Sequence, residues 1–250
     1  MMSANASERA GRWYVSVAVE ENSPATMFPV GEVVGVDLGI NHLATVSNGT
    51  VFENPRALAH RLRKLQHLQR EVSRKKKGSK NREKAKRRLS RCHAKVADLR
   101  KDAIHQATTT LARTKPVIVV ETLRPKNMLK NHPLARSLSD ASFGEFGRQL
   151  EYKCRWYGSR LVKADRFYPS TKLCSGCGAL KEMPLSARTY SCPVCGLVMD
   201  RDLNAARNLA RVAASSAETV NACGGGRFMA ERPGALQGIR NLSGCVSTYP

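Results

Sequence analysis

Four cysteines and four acidic side chains are the residues of this 250-residue chain best placed to do chemistry. Cys174-x2-Cys177 and Cys192-x2-Cys195 are two CxxC pairs separated by 14 residues. Each CxxC turn aims two thiolates at one ion, and two such turns complete a tetrahedron. Gly176, Gly178 and Gly196 supply the permissive backbone that tight knuckle turns need. The spacing predicts a Zn²⁺ site rather than a redox pair or disulfides. Four thiolates leave no open coordination position, so the expected zinc is structural. It would supply the folding energy that a module of about 20 residues lacks.

The acids sit in less expected places. Asp37 interrupts the apolar run "VVGVDLGIN", and Glu121 ends "VIVVE". Burying a carboxylate in a central strand costs several kcal/mol unless something compensates, and a divalent cation does so effectively. Asp200 and Asp202 open the helical segment "DRDLNAARNL". One aspartate can cap that helix, but both cannot, so at least one is left for other work. Hard oxygen ligands suit Mg²⁺ or Mn²⁺, which accept carboxylates, waters and phosphate oxygens. Two such ions about 3.5–4 Å apart would stabilise the attacking and leaving oxygens of an in-line displacement. The chemistry implied is phosphodiester hydrolysis without a covalent intermediate.

These residues need a scaffold. Residues 12–20, "RWYVSVAVE", alternate with Trp13, Val15 and Val17 on one face, as in a half-buried strand. Residues 33–38, 43–46 and 51–52 read as three short strands, the last two joined by the turn "SNGT". From Arg56 the apolar period lengthens. Leu58, Leu62, Leu65, Leu68 and Val72 form one helical stripe, and Ala85, Leu89, Cys92, Val96 and Leu111 another, on either side of "KKKGSKN". This predicts an antiparallel helical hairpin. Residues 117–120 form a buried strand, 125–142 read as loop, 143–157 as a helix and 160–165 as a further strand. The last helix is expected to close near Ala214, with 215–250 a disordered tail. Strands in hairpins followed by α/β crossovers make an α/β mixed sheet of the RNase H-like class. The three acidic sites fall on elements that such a sheet brings side by side. The six histidines form no spaced ligand set, although His42 is near Asp37 in sequence. Cys92, Cys154, Cys223 and Cys245 read as plain thiols.

The net charge is +22. A surplus of this size points to a polyanionic partner, nucleic acid before membrane. Residues 56–101 carry nineteen Lys and Arg against three acids, a net of +16. Solvated helix faces mix signs, so a single-signed face suits a phosphate backbone. The candidate contacts are Lys75, Lys76, Lys77, Lys80, Arg82, Lys84, Arg87, Arg88 and Arg91. No apolar run approaches the ~18 residues of a spanning helix, and the N-terminus has no signal-peptide core. A cytoplasmic, nucleoid-associated protein with reduced thiols is expected, with no membrane partner.

The segments "GVDLGIN", "VVETL", "YPSTKLCSGCG", "CPVCG" and "DRDLNAARNL", in this order with a basic hairpin after the first, resemble the TnpB (OrfB) family of transposon-encoded RNA-guided endonucleases. The resemblance covers residues 12–212. It implies a RuvC-like nuclease domain over 31–172 containing the hairpin 56–113, a zinc ribbon over 173–197 and a last nuclease helix over 198–214. It implies a guide RNA from the transposon end and a double-stranded DNA target. Carried onto this chain, the catalytic, magnesium-binding acids are Asp37, Glu121 and Asp202, and the zinc ligands are Cys174, Cys177, Cys192 and Cys195. Only 36 residues precede Asp37. Residues 1–30 are therefore expected to be the remnant of an N-terminal wedge region. A truncated, non-catalytic binder that regulates transposition and a strand-transferring transposase are the competing expectations. Replacing Lys75, Lys76 and Lys77 with Ala should weaken nucleic-acid binding. The slope of log affinity against log salt should flatten by roughly one unit per lost phosphate contact. A salt titration with an unchanged slope would show that this loop does not touch the backbone.

Overall fold

Alternation in residues 12–18 produces a strand, and a neighbour supplies its partner. In the computed structural model, which describes residues 3–20, 28–184 and 186–222 with side chains through Ala213, β1 (Ser3–Arg9) pairs antiparallel with β2 (Arg12–Ala18). The first strand escapes sequence reading because SANASER carries no apolar face. The expected burial is corrected as well. Trp13 and Val15 are 73 % and 55 % exposed, and the half-buried face is that of Tyr14, Ser16 and Ala18. Arg9 and Arg91 explain which side is covered. Arg9 pairs with Asp98 at 2.8 Å, and Arg91 Nε donates to the Ala10 carbonyl at 3.4 Å. These residues belong with α1 (Ala57–Arg74) and the first part of α2 (Lys80–Thr114) in one compact unit of the chain. Leu65, Leu68, Val72, Ala85, Cys92 and Val96 are buried, as the two stripes require. Ser79 starts α2, its Oγ accepting from the Arg82 amide at 3.2 Å.

The second unit spans residues 26–56 and 99–225, of which the described part is built on a five-stranded sheet. β3 (Val34–Asp37) lies at its centre. It pairs antiparallel with β4 (His42–Val46) and parallel with β6 (Val117–Glu121). β5 (Val51–Glu53) and β7 (Arg160–Ala164) occupy the edges, giving the order β5-β4-β3-β6-β7. This is the mixed sheet expected. β3 and β6 are apolar almost throughout because helices cover both faces.

The segment 125–142 is helical rather than loop. α3 (Pro125–Met128) and α4 (His132–Ala141) each carry a proline in their first two positions. Proline there starts a helix, since its missing N–H would have no intrahelical partner. Arg100 Nε holds α4 through Asp140 Oδ1 at 2.7 Å. α5 (Phe143–Tyr157) ends at Gly158, whose φ of 76° is left-handed. One face of the sheet packs Val36, Leu43, Ile118 and Val120 against Ile104 and Leu111 of α2 and Phe146 and Leu150 of α5. A polar layer joins α2 to α5 behind this core. Lys153 Nζ, almost wholly buried, donates to the His105 carbonyl, Thr108 Oγ1 and Thr109 Oγ1 at 2.7–2.9 Å. Burial pushes its ammonium down to about 8.

α6 (Arg201–Ala222) covers the other face, with Leu209 against Val119 and Ala164. It continues past the expected end at Ala214. The rest of the expected tail, 223–250, with Cys223 and Cys245, lies outside the described residues. No helix among the described residues is long and apolar enough to cross a membrane. α6 approaches β3 unusually closely. A Cβ added at Gly35 would lie 2.0 Å from the Ala206 carbonyl oxygen and 2.5 Å from the Ala210 nitrogen. Both obstacles are backbone, so no side chain can move aside. Gly35→Ala should therefore lower stability by at least about 1–3 kcal/mol, read from the denaturant midpoint. A wild-type midpoint would contradict this packing.

Candidate functional site

The cysteine segment folds as two knuckles and a hairpin. In the first knuckle the Gly178 amide donates to the Cys174 carbonyl at 2.9 Å; in the second the Gly196 amide donates to that of Cys192 at 3.1 Å. Gly178 and Gly196 take φ of 77° and 73°, so both knuckles use glycine where the backbone turns left-handed. β8 (Thr189–Ser191) and β9 (Val198–Asp200) form the antiparallel hairpin. Tyr190, fully buried, fills the small core with Cys174 and Cys192, and its hydroxyl donates to the Lys172 carbonyl. All four Sγ atoms lie within 4.8 Å of one another, with Cys174–Cys195 and Cys177–Cys192 at 3.6 Å. A tetrahedron with metal–sulfur bonds of about 2.3 Å has edges of about 3.8 Å, so the thiols fit one ion. Backbone amides of Cys195 and Val194 push the Cys192 thiol down to about 6, towards the thiolate a metal needs.

The acids converge by strand register and helix placement. Val36 is level with Val120 across the parallel pair, so Asp37 and Glu121 stand next to each other one residue on. Val119 faces α6, and alternation turns Glu121 the same way. α6 brings Asp202 to this end of the sheet. Its Oδ2 would lie 3.8 Å from a Cβ built on Gly39. Asp37 and Asp202 are each 8 % exposed. Burial holds the Asp37 carboxyl well above the usual range, and the charges of Glu121 and Asp202 add to the effect. Among the described residues only the four thiols bring three or more ligand atoms within 4.8 Å; the acids are set further apart.

Hydrogen bonding distinguishes the two aspartates. Asp200 Oδ1 accepts from the amides of Asp202 and Leu203 at 2.9 and 3.0 Å, so Asp200 is the helix cap. Asp202 is not the cap and acts electrostatically on Asp37 more strongly than Asp200 does. Arg201 holds Asp202, with Nε and Nη2 on Oδ1 at 3.1 and 3.0 Å. Glu121 is half-buried and accepts from Ser170 Oγ. Ser170 is anchored in turn, its carbonyl accepting from Asn208 Nδ2 at 2.7 Å. Asn204 Nδ2 donates to the Leu173 carbonyl at 2.7 Å, and its Oδ1 accepts from the Ser175 amide at 2.9 Å. Ser170, Arg201, Asn204 and Asn208 were missed by sequence reasoning. Two asparagines four apart on the apolar side of a helix were the available signal, since buried amides need partners. His42 begins β4 and faces Glu53 on β5 at 3.3 Å.

The basic candidates belong to the other unit of the chain. Lys76, Lys77, Lys80, Lys84, Arg87, Arg88 and Arg91 are exposed, and Lys75 and Arg82 half-buried. Glu71 lies between the two helices, 3.8 Å from Lys75 Nζ and 3.6 Å from an Arg88 nitrogen.

Comparison with known proteins gives consistent matches. Residues 15–132 match the OrfB_IS605 family, described as "Probable transposase", and residues 143–209 the Cas12f1-like TNB domain. A "Putative RNA-guided DNA endonuclease" of Streptomyces pristinaespiralis is 46 % identical over 88 % of this chain and 53 % of that protein. A similarly named Escherichia coli protein, InsQ, is 36 % identical over 87 % of this chain and 57 % of its own length. The chain thus spans about half the length of these relatives. A Cas12f1–sgRNA–target DNA complex contains a chain of like fold, with a TM-score of 0.50 and 17 % identity over 82 % of this chain and 55 % of that one. The two chains share an α/β fold. For the thiol cluster, Cys192→Ser or a strong chelator should unfold β8 and β9 while leaving the sheet intact. Metal binding supplies on the order of 10–16 kcal/mol in finger-sized modules. NMR dispersion of the Tyr190 and Leu197 amides that survives metal removal would refute this.

Proposed function

Because the chain belongs to the TnpB/OrfB family, we propose that it is a transposon-encoded, RNA-guided, divalent-metal-dependent DNA endonuclease. Its guide is an RNA from the transposon end and its target double-stranded DNA. The observation that carries this reading is Asp37. A carboxylate 8 % exposed at the end of a central strand, in the field of two further carboxylates, has little use except to hold cations.

Asp37, Glu121 and Asp202 would hold Mg²⁺ or Mn²⁺. Two such ions supply an activated water and neutralise the leaving 3′ oxygen. The protein's own residues do the positioning. Strand register sets Asp37 beside Glu121, Ser170 orients Glu121, and Arg201 orients Asp202. Cys174, Cys177, Cys192 and Cys195 hold a structural Zn²⁺, since four thiolates saturate a tetrahedral ion. The nuclease domain occupies 31–172 with the hairpin 56–113 as its basic insertion, the ribbon 173–197, and the last nuclease helix follows. In related RNA-guided enzymes base pairing reads the target sequence, and the protein grips backbone. The exposed cations of the hairpin suit that second task.

The test is cleavage of linear double-stranded DNA by the chain purified with its co-expressed RNA and Mg²⁺. Asp37→Ala, Glu121→Ala and Asp202→Ala should each lower the rate by roughly 10³-fold or more, the equivalent of several kcal/mol. Asp200→Ala should cost about 1 kcal/mol of stability and little activity. Equal cutting by wild type and Asp37→Ala would end the proposal. Joined transposon ends in place of free breaks would favour strand transfer.

A further inference from the structure

The Arg201 side chain touches both the thiol module and a proposed catalytic acid. Its backbone amide donates to the Arg188 carbonyl at 2.8 Å. Its Nη1 donates to the Ala187 carbonyl at 2.9 Å, and its Nε and Nη2 reach Asp202 Oδ1. Residues 187 and 188 lead into β8, which carries Tyr190 of the ribbon core and runs on to Cys192. The guanidinium is only 15 % exposed, so these bonds are shielded from water. Asp202 Oδ2 is left facing the Gly39 side of the site.

We propose that Arg201 is a positioning residue that couples the folded ribbon to the catalytic ions. By occupying one oxygen of Asp202 and a ribbon carbonyl at once, it fixes the direction in which Asp202 presents its other oxygen. The planar fork of arginine can serve both acceptors together. A lysine ammonium on a flexible stem cannot hold the same two in one geometry. Ribbon folding thereby becomes a condition for a competent cation site, although the thiols and the carboxylates share no ligand. The inference rests on the nuclease reading above.

The experiment uses the full chain with its RNA and reads three quantities. They are zinc content, Mn²⁺ affinity by calorimetry, and cleavage kinetics. In Arg201→Ala and Arg201→Lys, zinc should stay at one per chain, with thermal unfolding close to wild type for the lysine variant. Mn²⁺ affinity should fall about 10- to 100-fold in both, as for other residues that orient a metal ligand. The kcat should fall with it, while KM for DNA is unchanged. Cys192→Ser, which releases the ribbon, should reproduce the loss of Mn²⁺ affinity in a chain whose Arg201 is intact. Mn²⁺ affinity and kcat within a factor of about two of wild type in Arg201→Lys would overturn the inference and leave the nuclease reading standing. A wild-type chain that neither binds Mn²⁺ nor cuts DNA would overturn both.

Discussion

The close contact of helix backbone with strand backbone at Gly35 is the constraint on which the site depends. α6 can bring its first turn beside Asp37 only if its middle turns lie directly on β3. The Ala206 carbonyl occupies the space that any side chain at position 35 would need. Ala205 and Ala206, both fully buried, keep the helix side of the contact equally thin. Small residues on both partners exchange apolar contact area for proximity. What is gained is the short path from Asp202 to the end of the strand, where register has already placed Asp37 beside Glu121.

With α6 seated, its polar residues organise the rest. Asn204 and Asn208 are one turn apart and almost wholly buried, and their amides hold the carbonyls of Ser170 and Leu173. Removing the Asn208 amide would take away the Ser170 carbonyl's bond, at about 1–3 kcal/mol for a buried acceptor, whereas the Leu173 carbonyl accepts from both amides. The chain entering the ribbon is thus pinned to the same helix that the chain leaving it becomes. Asp200 ends β9 and caps α6 with one side chain, so the hairpin and the helix meet without a linker. The opening acids of α6 and the cysteine knuckles are adjacent in sequence because one helix anchors both.

Much of this was legible in the sequence, for identifiable reasons. The parallel strands were recognised because burial on both faces leaves an unbroken apolar run, against which Asp37 and Glu121 stand out. The thiol site was recognised because its ligands come in local pairs whose spacing encodes geometry. The failures are also physical. Pro125 and Pro133 suggest loop in isolation, yet at a helix start they are favourable. The sequence SANASER gives no strand signal because neither face of β1 buries apolar side chains; its partner β2 holds it. Trp13 looked like a core residue because alternation reveals which residues share a face but not which face is covered. Local sequence left Asp200 and Asp202 open as cap or ligand, with only the family resemblance favouring Asp202, until the helix start was fixed to the residue. Arg201 was one cation among many, since nothing local records that its partners include the Ala187 and Arg188 carbonyls leading into β8.

The charge pattern follows from the chemistry the site would perform. A pocket of three carboxylates repels the phosphate it must approach, and burial intensifies that repulsion because little water screens it. Divalent ions reverse the sign locally, but each contributes only within its own coordination sphere. In the proposed reaction the long-range attraction would come from elsewhere in the chain, which carries a net +22 with a surplus of +16 between residues 56 and 101. Those cations are carried on α1 and the first part of α2, in a different unit of the chain from the acids. Lysines and arginines packed around Asp37 would compete with the ions for its oxygens. Arg201 is tolerated there because it is tied to one oxygen of Asp202 and to a backbone carbonyl. On the proposed reading, the residues that would attract the backbone and those that would hold the ions belong to different units of the chain, so each set can keep the charge its task requires.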